Sequence, residues 1–267
     1  MRAADFILEG NAAVCAGSEK GITMKAADLT SKFAKLFDYS IVRPDATREV
    51  VLRFAQTAAH IGTATLVVQP HYIRLAAEQL RGTGVLLGTV VGFPHGNETP
   101  AMKHYQTQVV MDLGAQEIDM VMNIPALKNG EEALFIEDIA GVVRGAAGAK
   151  VKVILENCLL TDDEKRRACK WVVRAGAHFV KTSTAYAEGG ATLDDIRLMV
   201  AAVEGKCLVK AAGGVRTLDH MLAFLQAGAR RFGSTRSDEL VQAFSELPAE
   251  KVTAFSEYLI DLPAQAV

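Results

Sequence analysis

The sequence predicts a single (β/α)8 barrel of the TIM type, in the α/β class, and three observations carry that expectation. Short apolar runs alternate with longer amphipathic segments, a glycine-ended unit recurs along the chain, and 267 residues suit a one-domain barrel of about 250 residues. Strands alternating with helices imply βαβ units and hence a parallel sheet, whose doubly covered strands read as nearly continuous apolar runs. The recurring unit ends in Gly62, Gly114, Gly176 and Gly228, and the last three read "LGAQEIDMV", "AGAHFVKTS" and "AGARRFGST". Glycine after a helix accepts positive φ without a Cβ clash. The spacing is 52 residues from Gly62 to Gly114 and again from Gly176 to Gly228, which is two βα units, and four such periods make eight. An open doubly wound sheet is the alternative, and no GxGxxG or Walker pattern supports it.

In chain order, residues 1–35 lie outside the repeat and are expected to form an N-terminal helical extension, with the barrel and a C-terminal helix occupying 36–267. Strands are expected at 36–41, 65–68, 85–91, 117–122, 151–156, 178–182, 207–210 and 231–233. Residues 162–175 show the helical texture best: Ala168, Trp171, Val172 and Ala175 share one side, and charge gathers at the start. His178, inside a strand run, reads as a packed residue rather than a ligand. After Leu247 a terminal helix with a loose end is expected.

Composition excludes several function classes. A net charge of −2 leaves no electrostatic footprint for nucleic acid or an anionic membrane. No apolar run approaches the roughly 20 residues that span a bilayer, and residues 1–10 lack the apolar segment of a secretory signal. Four scattered cysteines with no CxxC pair read as reduced thiols of a cytoplasmic protein. The six histidines show no HxH or HExxH spacing, so no metal is expected.

Barrel active sites form at the C-terminal ends of the strands. Asp38 falls in the first expected strand, Asp119 in the fourth and Glu156 at the end of the fifth; Lys181 ends the sixth and Lys210 the seventh. Lysines inside runs that a barrel must bury need partners or a purpose. Neighbouring strands are about 4.8 Å apart, so the two side chains can converge. A free lysine, with pKa about 10.4, is neutral about once in 2,500 molecules at pH 7, and only the neutral amine attacks a carbonyl. A second ammonium about 4 Å away at an effective dielectric near 20 costs about 4 kcal/mol, enough to free the amine near neutral pH. Lys181 is thus expected to form an imine with a small carbonyl compound, Lys210 to lower its pKa and Asp119 to relay protons. Turns rich in glycine follow the last two strands. Gly213 and Gly214 after the seventh, and Gly233, Ser234 and Thr235 opening the helix after the eighth, would cradle a phosphate, with Arg236 adding charge.

The same residues resemble the 2-deoxyribose-5-phosphate aldolase family of class I aldolases, from about Phe37 to Arg236. The resemblance rests on "FDYSIVRPDAT" (37–47), "GFPHG" (92–96), "GAQEIDMVMNI" (114–124), "KVILEN" (152–157), "AGAHFVKTSTAY" (175–186), "GGATLDDIRLM" (189–199) and "VKAAGGVRT" (209–217), in that order. It implies a barrel that reversibly cleaves deoxyribose 5-phosphate to acetaldehyde and glyceraldehyde 3-phosphate without a cofactor. It also places the imine-forming lysine at Lys181, the second lysine at Lys210 and the relay at Asp119. Asp38, Ser40 and Thr182 are implied to bind substrate. The implied partners are a sugar phosphate and an aldehyde, with a homo-oligomer allowed. The chain departs from the family pattern at Val67, where a cysteine is usual. It departs again at Ala185, which ends a Thr-Ser-Thr-Gly motif, at Thr235-Arg236 in the phosphate turn, and at Pro125. Two further readings remain: a Schiff-base aldolase for another substrate, and a non-catalytic sugar-phosphate-binding barrel.

Overall fold

Eight parallel strands close into a barrel in the strict order β1 to β8 in the computed structural model, which describes residues 26–260. The strands are β1 (Phe37–Ile41), β2 (Thr65–Val68), β3 (Leu86–Val91), β4 (Glu117–Val121), β5 (Lys150–Ile154), β6 (Phe179–Lys181), β7 (Leu208–Ala212) and β8 (Ala229–Ser234). The helices run α1 (Ala26–Ala34), α2 (Arg48–Ile61), α3 (Ile73–Leu80), α4 (Pro100–Asp112), α5 (Ile124–Asn129) and α6 (Glu132–Gly145) in the first half. They continue as α7 (Asp162–Arg174), α8 (Leu193–Val203), α9 (Leu218–Gln226), α10 (Ser237–Ser245) and α11 (Ala249–Ile260). The closed barrel, not the open sheet, is therefore the fold.

Local chemistry starts and stops the helices. Thr47, Thr99, Thr161, Thr192 and Thr217 each stand at an N-cap, where the hydroxyl accepts a backbone N–H from the first turn. Each such cap is worth about 1 kcal/mol. At α7 the cap is reciprocal, because the Glu164 carboxylate also accepts the Thr161 N–H. The four repeat glycines all take positive φ, from 72° to 112°. At Gly228 the requirement is also steric: an added Cβ would stand 2.9 Å from Val200 Cγ2. The apolar face of α7 is buried as expected, at Ala168, Trp171 and Val172.

The core has an outer layer between strands and helices and a plug at the bottom. Phe33 of α1 stacks on Phe244 at 4.0 Å and meets Phe37 and Phe255 edge-on, tying α1 to α10, α11 and β1. The rest of the expected 1–35 extension, and the tail beyond 260, lie outside the described residues. Several boundaries shift. β7 runs on to Ala212 and β8 spans Ala229–Ser234, so Lys210 sits mid-strand and the helix opens later than expected, at Ser237. β5 stops at Ile154, because Glu156 turns into the left-handed region at φ 55° and starts a 3-10 turn. His178 is exposed, not packed, and its Nδ1 accepts the Val151 N–H. Among the described residues no helix is long and apolar enough to cross a membrane.

Candidate active site

Parallel register aims the charged side chains at one another. Lys181 and Lys210 are cross-strand partners, as are Asp119 and Lys152, and Lys210 and Arg231. In-register residues of a pleated sheet point to the same face, here the barrel interior. Asp119 Oδ2 accepts from Lys181 Nζ at 2.6 Å and from Lys210 Nζ at 2.6 Å, so one oxygen bridges the two amines. Its other oxygen takes Lys152 Nζ at 3.1 Å.

Behind this bridge stands a second layer. Asp38 pairs with Lys210, with Lys152 at 3.0 Å and with Arg231 at 2.6 Å. Glu117 takes Lys152 at 2.5 Å and the Thr65 hydroxyl at 3.0 Å. Four cations and three carboxylates thus share the barrel interior, all essentially buried. Buried charges persist only when paired, and this set leaves one positive charge over. Burial would raise the carboxyls of Asp38 and Asp119, but the surrounding lysines outweigh it and hold both well below the usual range. Burial would lower Lys152, but Asp119, Asp38 and Glu117 hold its proton firmly. The loosely held proton is on Lys210. Burial, with Lys181 and Lys152 nearby, brings it down to about 8 despite Asp119 and Asp38. The expected repulsion between the two lysines is present, and its visible effect falls on Lys210.

A cavity of about 310 Å³ opens above the bridge, and Lys181 is the one member of the charged set that lines it. Ser40, Gly213, Gly214, Gly233, Ser234, Thr235 and Arg236 also line it. Gly213 has φ 78° and passes so close to Gly190 that an added Cβ would sit 3.0 Å from its Cα. Two expected substrate contacts stand elsewhere. Asp38 lies fully buried in the second layer, and the Thr182 hydroxyl is spent on Ala212, donating to its carbonyl at 2.9 Å and accepting its N–H at 3.0 Å. Arg236 is at the rim, where its Nε contacts both Glu239 oxygens at 2.9 Å, so the helix-terminal cation has its anion already.

Sequence reasoning missed Lys152, Glu117 and Arg231 in the interior, and Arg43, Tyr186 and Arg216 in the cavity wall. Parity along each strand was the available signal: Glu117 is two residues from Asp119, and Arg231 two from Gly233, so each pair shares a face.

An amine that opens onto a cleft, backed by a carboxylate and a second amine, defines a class of barrel enzyme that forms imines with carbonyl substrates. Comparison with known proteins narrows the class. A model described as DeoC/LacD family aldolase matches residues 22–236. The deoxyribose-phosphate aldolase of Staphylococcus epidermidis is 46% identical over 209 residues, covering 78% of this chain and 95% of that one. That of Listeria innocua is 44% identical over 218 residues, covering 81% and 97%. Among solved structures, the tetrameric deoxyribose phosphate aldolase of Aeropyrum pernix superposes with a TM-score of 0.74 at 28% identity, over 84% of this chain and 100% of that one. The chain belongs to the DeoC/LacD family of aldolases.

Proposed function

We propose that this enzyme cleaves 2-deoxyribose 5-phosphate reversibly to acetaldehyde and glyceraldehyde 3-phosphate through an imine on Lys181. The observation that carries the reading is the shared Asp119 oxygen between Lys181 and Lys210, directly under the cavity. Proton exchange across that oxygen can leave the neutral amine at Lys181, the partner that reaches substrate. Its nitrogen adds to the C1 aldehyde, and loss of water gives the imine. The C3 hydroxyl then loses its proton and the C2–C3 bond breaks, its electron pair passing into the imine to form an enamine. Glyceraldehyde 3-phosphate leaves. Protonation of the enamine carbon and addition of water release acetaldehyde and restore the amine. Asp119 and Lys210 hold and return the protons.

The phosphate is assigned to the turns after β7 and β8. Gly213, Gly214, Gly233 and Ser234 line the cavity there, and glycine turns of this kind can present backbone N–H groups to an anion. Three arginines line the same cavity; Arg43 is paired with Asp45 and Arg236 with Glu239, whereas Arg216 is in neither pair. Borohydride reduction in the presence of acetaldehyde tests the central assignment. An ethyl group should be found on Lys181 by peptide mass mapping; a label on Lys210 instead, or none on either, refutes it.

A further inference from the structure

Beside the Lys181 cavity lies a second one of about 330 Å³, and the imine chemistry proposed above makes no use of it. Tyr186 and Thr184 line both. The second cavity is walled largely by Pro94, Ile124, Pro125, Leu159 and Ala187. Its carboxylate, Glu156, is already engaged, accepting the Thr184 N–H at 3.2 Å and the Thr184 hydroxyl. His95 and Asn97 add polar groups to the wall, and the rest of the lining offers a ligand apolar surface.

Tyr186 stands between the two spaces and is held in three ways. Its hydroxyl donates to the Val42 carbonyl at 2.8 Å, joining the loop after β6 to the loop after β1. Its ring meets Phe93 edge-on at 5.3 Å. Its N–H donates to the Thr184 hydroxyl at 3.0 Å, behind the Glu156 clamp. The residue before it, Ala185, is in the left-handed region at φ 67°, a conformation that disfavours any side chain with a Cβ and that the clamp must impose. Yet Tyr186 is 43% exposed. The half-exposed ring is held by its hydroxyl and by the Phe93 edge and can rotate outward when both yield, whereas the backbone that carries it is fixed.

We propose that Tyr186 is the wall between the Lys181 cavity and an apolar subsite, and that this subsite takes the aliphatic tail of an uncharged aldehyde when the wall opens. In the closed position the tail of an aldehyde bound at Lys181 is confined to the Lys181 cavity and does not reach the apolar subsite. The proposal rests on Lys181 being the imine-forming amine, and the test keeps the two apart. Wild type, Tyr186→Phe and Tyr186→Ala are incubated with acetaldehyde or hexanal. In each reaction the amine and aldehyde lose water to give an imine, which borohydride reduces to a secondary amine, and labelling of Lys181 is timed by peptide mass mapping. Each methylene entering an apolar cavity is worth about fourfold in binding. Tyr186→Ala should therefore raise the hexanal-to-acetaldehyde labelling ratio by about tenfold or more. Tyr186→Phe keeps the ring and loses only the latch, and should raise the ratio less. A ratio unchanged in both variants overturns the subsite, including the case in which both aldehydes simply label more slowly. Failure of acetaldehyde to label Lys181 in wild type would instead refute the underlying imine assignment. Should Tyr186→Ala not fold, the Tyr186→Phe ratio decides alone.

Discussion

Lys210 is the residue through which burial becomes reactivity. Its pKa of about 8, against 10.5 for an unperturbed lysine, means the folded protein binds fewer protons there than the unfolded chain between those two values. Stability linked to this group therefore rises as pH climbs from about 8 to 10.5, and the burial penalty is felt in full below about 8. The catalytic consequence has the same direction: neutral amine becomes available to the pair as pH passes about 8. Lys210→Met removes one cation and leaves three facing three carboxylates, so the pair loses the amine whose proton burial loosens. Imine formation with acetaldehyde should slow by at least about tenfold at pH 7, and its basic pH limb should move upward by a unit or more. A profile superimposable on wild type would show that Lys210 does not tune the amine. The three residues of this set that went unseen, Lys152, Glu117 and Arg231, were hidden for a physical reason. Lysine and arginine in a strand are ordinarily solvated, and which face they occupy depends on a register that local sequence does not print. Asp119, Lys181 and Lys210 were visible because each interrupts an apolar run that the barrel must bury.

At the scale of elements, hydrophobic pattern and punctuation located every strand, while the ends drifted by at most two residues. The drift has causes that only tertiary structure supplies. β7 continues through Ala211 and Ala212 because the Thr182 hydroxyl bonds the Ala212 backbone in both directions. β5 ends early because the Glu156 carboxylate is drawn to Thr184. The glycine repeat was legible because its reason is local, a helix stop at positive φ. Gly228 adds a tertiary reason, the contact with Val200. It lies before β8, at the end of the barrel opposite the cavity. Gly228→Ala should accordingly lower stability by about 1–3 kcal/mol, from backbone strain and overpacking together. The denaturant midpoint should fall while kcat of the folded fraction stays at the wild-type value. An undisturbed midpoint would mean that the α9–β8 turn yields without strain.

Across the whole molecule, closure of the barrel sets a gradient from a sealed, charged interior to an open cavity mouth. The interior pairs its charges within itself and keeps one positive charge over; a dianionic substrate at the cavity mouth must find uncommitted donors. The sequence pointed to Arg236 as the cation at that mouth. The structure shows why it is a poor candidate in the free enzyme: to reach a phosphate it must first leave Glu239, its partner one helical turn away. Arg43 is tied to Asp45 in the same way. Among the described residues no carboxylate lies within ion-pair distance of Arg216, which stands two residues after Gly214 and lines the cavity. A guanidinium with no ion pair to break gives its full interaction to an incoming phosphate, and the hydrogen bonds it makes there are charge-assisted, worth about 1.5–3 kcal/mol each. Arg216→Ala should then raise KM for deoxyribose 5-phosphate by about tenfold or more and leave turnover of unphosphorylated deoxyribose nearly unchanged. Arg236→Ala should have a smaller effect on the phosphorylated substrate, since the wild-type side chain must give up Glu239 to help. If instead Arg236→Ala carries the larger KM effect, the Glu239 pair is broken on binding and the mouth of the barrel rearranges around the phosphate. If neither variant discriminates between the two sugars, the backbone donors of the β7 and β8 turns hold the phosphate alone.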